Sequence, residues 1–191
     1  MSSPRFTMDQ VEWRPWLPPV QAETATPQQR AALERSPQAN SPYFLTLAND
    51  VESLEQRSPL FHSVMYVPGG LKRAERELAT VVTSIINGCV YCSSVHARRF
   101  AELTKQPEVI RALYEQGLDT PLEPRLRAIV DFAAKLTREP AAMTPSDLEP
   151  LRNAGLSDLE IHDLVNATAM FANANRLMQT LGEPVLPEHH P

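Results

Sequence analysis

Four side chains capable of redox and acid–base chemistry lie close together in the sequence. Glu77, Cys89, Cys92 and His96 follow the spacing E-x11-C-x2-C-x3-H, and the two cysteines are the only ones in the chain. Two thiols at this spacing can close a disulfide, and a neighbouring imidazole can accept a thiol proton near neutral pH. The segment is therefore the candidate site for dithiol–disulfide chemistry.

A helix that begins near Cys89 would place both thiols and the imidazole on one face, because residues three and four apart are neighbours on a helix. Phe100 and Leu103 continue this face and are expected to be buried. The helix N-terminus favours a thiolate at Cys89, whereas His96 lies one turn from Cys92 and can take its proton directly or through water. The spacing alone leaves open which thiol ionises first.

Glu77 lies on the preceding helix, which Gly88 is expected to end. If the two helices pack antiparallel, Glu77 lies beside His96 and orients the imidazole as the third member of a nucleophile–base pair. Simpler interpretations remain open: an exposed ion pair between Glu77 and Arg73, a structural core histidine, and two inert buried thiols.

Metal and cofactor sites are also considered for these residues. Zinc binding by the four side chains is disfavoured, because ligands at i, i+3 and i+7 of one helix give a poor tetrahedron. A c-type haem needs a histidine directly after the second cysteine, where this chain has Ser93. We therefore predict neither a metal nor another cofactor.

The composition narrows the class of protein. The chain has 191 residues and a net charge of -5, with no basic stripe, so a nucleic-acid partner is not expected. No apolar run is long enough to span a bilayer. The first residues contain no apolar signal core, so a cytoplasmic location is expected.

The elements that position the site are predicted to be helices. Many of the 18 prolines follow a serine or threonine, a pattern typical of helix starts: Thr26-Pro27, Ser41-Pro42, Ser58-Pro59, Thr120-Pro121 and Thr144-Pro145. Capping boxes are predicted at Thr26/Gln29, Thr120/Glu123 and Ser157/Glu160. Helices are predicted over 26–36, 41–55, 58–66, 71–87, 89–104, 106–116, 121–138, 144–154 and 157–181. No strand is predicted, and the fold class is all-α.

The first 25 residues differ from the rest of the chain. They hold both tryptophans, Trp13 and Trp16, among several prolines. The segment is either an extended arm that lays the tryptophans into a groove or a flexible tail, and we predict the arm, whose groove could belong to a neighbouring subunit. Residues 26–186 are predicted to form a single helical domain, and 187–191 a loose tail.

The spacing of the four site residues resembles the signature of the alkylhydroperoxidase D (AhpD)-like proteins, which belong to the carboxymuconolactone decarboxylase superfamily. The segments VEWRPWLPPV (11–20) and MFANANR (170–176) are similar to the longer branch called peroxidase-related proteins. The resemblance implies a bundle of about eight to nine helices with the N-terminal arm attached. It also implies assembly into homo-oligomers, from dimers to trimers and hexamers.

The resemblance implies a thiol-dependent peroxidase of antioxidant defence, which reduces a hydroperoxide with electrons from a dithiol donor. In this assignment Cys92 attacks the peroxide, Cys89 resolves the sulfenic acid into a disulfide, His96 is the base and Glu77 its partner. The best-known members have a relay histidine between the cysteines, where this chain has Tyr91, a phenol of pKa ~10. The alternative function is a non-enzymatic redox sensor or small-molecule-binding protein that retains the dithiol helix.

Overall fold

The structure, a computed structural model, describes residues 5–36 and 38–187. Nine α-helices run through this part of the chain: α1 (Pro27–Glu34), α2 (Pro42–Leu47), α3 (Val51–Tyr66), α4 (Arg73–Ile86), α5 (Val90–Thr104), α6 (Pro107–Glu115), α7 (Pro124–Arg138), α8 (Glu149–Asn153) and α9 (Asp158–Thr180). Two 3₁₀ segments, Pro140–Ala142 and Pro145–Leu148, precede α8, so the helix predicted over 144–154 is divided in two. The predicted all-α class is confirmed.

Local capping explains where several helices begin. Thr26, Ser41 and Ser157 each accept a hydrogen bond from a backbone N–H three residues further on, at the starts of α1, α2 and α9. The side chains of Gln29 and Glu160 in turn accept a hydrogen bond from the backbone N–H of the capping residue, Thr26 and Ser157 respectively. The predicted capping boxes of α1 and α9 are therefore confirmed. These starts were predictable because the signal lies within four residues of sequence.

The predicted helix start at Ser58-Pro59 is wrong. Pro59 lies inside α3, which runs without a break from Val51 to Tyr66. The Ser58 hydroxyl is buried and hydrogen-bonds the hydroxyl of Ser36 at 2.9 Å. This tertiary contact engages the hydroxyl that the sequence predicts as the N-cap of a new helix. The interruption falls earlier, where the Asp50 side chain caps α3.

The predicted start at Thr120-Pro121, with its capping box, is also wrong. Helix α7 begins at Pro124, and its N-cap Glu123 makes no side-chain capping bond. The Thr120 hydroxyl instead donates to the side chain of Gln116 at 3.0 Å, behind it in the chain. A proline does occupy the first helical position of α7, but it is Pro124 and not Pro121, so the helix begins three residues later than predicted.

Helix α4 lies at the centre of the fold. It packs against α5, α7 and α9, and every residue from 75 to 84 is buried. Its buried charges find partners on other helices: Glu75 bonds Arg125 of α7 at 2.7 Å, and Arg76 bonds Asp163 of α9 at 2.8 Å. These two charged residues of α4 are therefore buried and paired with partners on other helices. Glu77 lies in the same buried stretch of α4 and needs partners of its own.

The N-terminal arm pairs with the C-terminal end of the described chain. Strand β1 (Glu12–Pro15) forms an antiparallel ladder with β2 (Gly182–Val185), so the expectation of no strand is corrected. The strands have four residues each and lie far apart in sequence, and no local turn signals their pairing. A Cβ at Gly182 would collide with the Trp13 ring and the Arg14 carbonyl, so this close pairing requires glycine.

The two tryptophans of the arm have different environments. Trp13 is buried, and its indole N–H donates to the Met178 carbonyl of α9 at 2.9 Å. Trp16 is 57% exposed. The arm thus lays one tryptophan, not two, into a groove, and that groove belongs to the same chain.

The predicted division into arm, helical domain and tail stays a prediction. Residues 188–191 of the predicted tail lie outside the described residues. No helix in the described ranges is long and apolar enough to cross a membrane.

Candidate active site

A tight turn between α4 and α5 assembles the site. Helix α4 ends at Ile86, and Gly88 follows with a φ of +73°, a conformation that glycine adopts readily. Cys89 is the N-cap of α5, and its N–H donates back to the Ser84 carbonyl at 2.8 Å. The chain folds back here, so that α5 packs along α4 and brings His96 to Glu77.

Glu77 is fully buried and has two cationic or hydrogen-bonding partners. One carboxylate oxygen accepts from Arg73, and the other bonds Nδ1 of His96. Burial alone would raise the pKa of Glu77, but the charges and hydrogen bonds of His96 and Arg73 outweigh burial and lower it. The interpretation of Glu77 as an exposed ion pair is wrong, although its bond to Arg73 exists.

The buried carboxylate orients the imidazole. An ionised Glu77 accepts the hydrogen of Nδ1, so the neutral ring keeps Nε2 free as a base. Phe171 of α9 packs edge-on against the same ring, with centroids 4.4 Å apart. Only 15% of the His96 side chain is exposed, and the exposed part lines a cavity.

The two thiols are free and buried, and they differ in ionisation. Hydrogen bonding to Cys92 lowers the pKa of Cys89. The same interaction, together with burial, raises the pKa of Cys92 well above its usual value. Cys89, at the helix N-terminus, is therefore the more acidic thiol of the pair.

The thiols line different cavities. Cys92 and His96 share a cavity of about 690 Å³, whose walls come mainly from α2, α3, α5 and α9. Cys89 lines a smaller one of about 180 Å³, beside Gly88 and the arm residue Trp16. Among the described residues His96 makes no direct hydrogen bond to Cys92, so a proton passing between them must travel through a molecule in the shared cavity.

The remaining expectations for α5 are partly met. Phe100 is buried as expected, but Leu103 is 52% exposed, because the last turn of α5 extends beyond the core. Tyr91, between the cysteines, is half-buried, and burial raises its pKa. It therefore remains a protonated phenol at neutral pH and does not act as a base there.

Three further residues contact the site and were not predicted from the sequence. Asn175 of α9 is fully buried; it donates to the Ser84 hydroxyl, accepts from Asn87, and its interaction with each thiol lowers that thiol's pKa. Arg57 and Tyr43 line the larger cavity. All three lie more than thirty residues from Cys89 or Cys92 in sequence, and no local spacing connects them with the thiols.

Within the described chain, no group of three or more His, Cys, Asp or Glu side chains is arranged to hold a metal ion. The site contains a dithiol at a helix start and an imidazole fixed by a buried carboxylate. These features define an all-helical protein with a candidate redox site.

Comparison with known proteins shows which family and which structures this chain resembles. Residues 52–135 match the model of the carboxymuconolactone decarboxylase family. A peroxidase-related protein of Ralstonia eutropha, described as an alkylhydroperoxidase AhpD core, is 27% identical with a TM-score of 0.75; the match covers 91% of this chain and 90% of that one. A peroxidase-related protein of Silicibacter sp. is 29% identical with a TM-score of 0.73, over 90% of this chain and 94% of that one.

A more distant structure shares the fold. The debrominase Bmp8 is 18% identical with a TM-score of 0.68, over 91% of each chain. No curated protein sequence is significantly similar to this chain. The family match over 52–135 and the fold of the peroxidase-related neighbours together support an AhpD-like assignment of the chain.

Proposed function

We propose that the protein is a thiol-dependent peroxidase of the AhpD type, which reduces a hydroperoxide at Cys92 and closes a Cys89–Cys92 disulfide. One observation carries the proposal: Cys92 shares its cavity with His96, whose ring is fixed by the buried Glu77. A base oriented in this way beside a nucleophile is the arrangement that activates thiols in covalent catalysis.

The proposed reaction has two steps at the dithiol. The Cys92 thiolate attacks the terminal peroxide oxygen; the S–O bond forms, the O–O bond breaks, and the leaving alkoxide takes a proton to become an alcohol. The Cys89 thiolate then attacks the sulfur of the Cys92 sulfenic acid; the S–S bond forms, the S–O bond breaks, and the leaving hydroxide takes a proton from solvent to become water. A dithiol donor restores both thiols by two exchange steps and is itself oxidised to a disulfide.

The ionisation of the pair suits the resolving role of Cys89, whereas Cys92 must lose its proton before it can attack. The lowered pKa of Cys89 keeps it available as the thiolate that closes the disulfide. Cys92 holds its proton until a molecule in the cavity passes it to Nε2 of His96. Cys89 lines the other cavity, where none of the described lining residues is a histidine.

Partners and assembly follow as further parts of the proposal. The substrate is a hydroperoxide, the electron donor is a dithiol, and the protein is a homo-oligomer in the cytoplasm. Three exposed apolar side chains on α3 and directly after it support a subunit contact: Leu60, Tyr66 and Val67.

Peroxide consumption with a dithiol donor tests the proposal. We expect Cys92→Ser to abolish turnover, and His96→Ala to lower it by about 10²-fold or more, as for loss of a general base. His162→Ala is the matched control, because His162 is exposed and bonds only Asn166 among the described residues. A folded wild-type protein that turns over no peroxide with a range of dithiols contradicts the proposal.

The alternative is a non-enzymatic redox sensor, favoured by the raised pKa of Cys92 and by Tyr91 at the relay position. A sensor forms the disulfide once and is not reduced rapidly by dithiols. Tyr91→His separates the two functions: it creates turnover if only the relay is missing, and changes nothing if the protein is a sensor.

A further inference from the structure

Arg57 differs from the other arginines around the larger cavity. The others have carboxylate partners: Arg35 with Glu55 at 2.5 Å, Arg73 with Glu77, and Arg99 with Glu102 at 2.9 Å. In the described part of the chain Arg57 has no acidic partner within ion-pair distance. Its positive charge is thus the one in the cavity wall that no described carboxylate balances.

The Arg57 guanidinium lies against aromatic rings. Its central carbon is 3.8 Å from the centroid of the Phe61 ring, 5.4 Å from that of Phe44 and 5.5 Å from that of Tyr43. Such stacking holds the guanidinium flat and leaves its edge N–H groups free to bind an anion. The rings also exclude water, which strengthens a charge–charge contact.

Two polar atoms at this place lie beside each other, and neither makes a hydrogen bond of good geometry to a described residue. They are Nε of Arg57 and the phenol oxygen of Tyr43. Tyr43 as a whole is only 4% exposed, and both residues line the cavity. Buried donors are normally satisfied, so two together at a cavity wall indicate a place for an acceptor group.

The phenol of Tyr43 is suited to donate a hydrogen bond rather than to carry a negative charge. Burial raises its pKa to about 12, so the O–H stays protonated at neutral pH. A neutral O–H beside a guanidinium is a good pair of donors for a carboxylate.

Much of the remaining wall is aromatic, and the cavity is large enough for an organic ligand. Its volume of about 690 Å³ falls within the range of small-molecule sites, about 300–1,000 Å³. Six aromatic side chains line it: Tyr43, Phe44, Phe61, Tyr66, Tyr91 and Phe171. An apolar body with a single anionic group matches these walls better than hydrogen peroxide, which has no apolar part to bury.

We propose that the cavity binds an apolar carboxylic acid, with the carboxylate held by Arg57 and Tyr43 and the apolar body along the aromatic walls toward Cys92. The substrate class of the proposed peroxidase is then organic hydroperoxides that carry a carboxylate. The substrate class rests on the proposed function. The binding of a carboxylic acid does not, because it requires no turnover.

Calorimetry on the reduced full-length protein tests the binding, with decanoate and its methyl ester as probes. We expect decanoate to bind at least about tenfold more tightly than the ester, since a hydrogen-bonded charge pair contributes that much or more. Arg57→Gln should remove this preference, Arg57→Lys should restore part of it, and Tyr43→Phe should reduce it. Arg35→Gln is the matched control, because Arg35 lines the same cavity but has a partner.

Equal affinity for acid and ester in the wild type, or an unchanged preference in both Arg57→Gln and Tyr43→Phe, would overturn the proposal. Turnover of linoleate hydroperoxide and its methyl ester separates it from the proposed function. Binding of decanoate without turnover of either peroxide contradicts the peroxidase and leaves the carboxylate site standing. Turnover with equal KM for acid and ester contradicts the carboxylate site and leaves the peroxidase standing.

Discussion

Glu77 determines the chemistry of its neighbours because it is a carboxylate with no exposed surface. A buried charge is stable only with close partners, and Arg73 and His96 supply them. The link from Glu77 to His96 could be predicted, because the E-x11-C-x2-C-x3-H spacing fits two helices folded on each other. Arg57, Tyr43 and Asn175 could not, since each reaches the site through tertiary packing and no local pattern marks it.

Replacement of Glu77 by glutamine should change how stability depends on pH. The folded-state pKa of Glu77 is lowered from 4.5, so its ionised form adds stability that is full above pH 4.5 and lost as pH falls through the lower folded value. We expect Glu77→Gln to lower the free energy of unfolding by about 3 kcal/mol at neutral pH, and by less as the pH becomes acidic. Urea unfolding at a series of pH values measures both.

Glu102→Gln is the control for that series, because Glu102 is exposed and pairs with the exposed Arg99. Its effect should be small at every pH. A Glu77→Gln variant whose cost stays constant from neutral pH into acid would show that Glu77 is not held ionised by its neighbours.

At the scale of elements, the helix starts show which part of the fold the sequence determines locally. Ser157 caps α9 as its own motif predicts, with Glu160 three residues on. Pro59 carries the same kind of signal but lies inside α3, since packing of Ser58 against Ser36 overrides it. The β1–β2 ladder has no local signal at all, because its partners are at opposite ends of the described chain.

The cap at Ser157 should contribute measurably to stability. Ser157→Ala removes the acceptor for the Glu160 N–H and should lower the free energy of unfolding by about 1 kcal/mol. Ser146→Ala, at an exposed serine within a 3₁₀ segment, should change it by less than about 0.5 kcal/mol. Denaturant titrations that give the two variants the same stability would contradict the capping assignment.

At the scale of the whole molecule, β1 and β2 bring the two ends of the described chain together beside the dithiol. Trp13 belongs to the apolar cluster that contains Cys89, Cys92 and Tyr43, and it bonds α9 at Met178. The N-terminal arm is therefore part of the wall around the thiols. Sequence composition predicted that an arm exists, but which tryptophan is buried depends on where β2 lies.

The two tryptophans should differ in their contribution to stability. Trp13→Ala removes a buried ring and its hydrogen bond, and should cost about 3–5 kcal/mol. Trp16→Ala is the matched control: Trp16 is exposed, and its loss should cost less than about 1 kcal/mol. Equal costs in chemical denaturation would mean that the arm is not anchored through Trp13.

The central claim is that Cys92, not the lower-pKa Cys89, attacks the peroxide. Each single-cysteine variant is treated with one equivalent of hydroperoxide and with dimedone, which labels sulfenic acids, and the intact mass is measured over time. We predict that Cys92 is labelled rapidly in the Cys89→Ser variant, because no second thiol remains to convert its sulfenic acid into a disulfide. The Cys92→Ser variant should show no comparable labelling. Rapid labelling of Cys92→Ser with an inert Cys89→Ser would contradict the assignment and make Cys89 the attacking thiol.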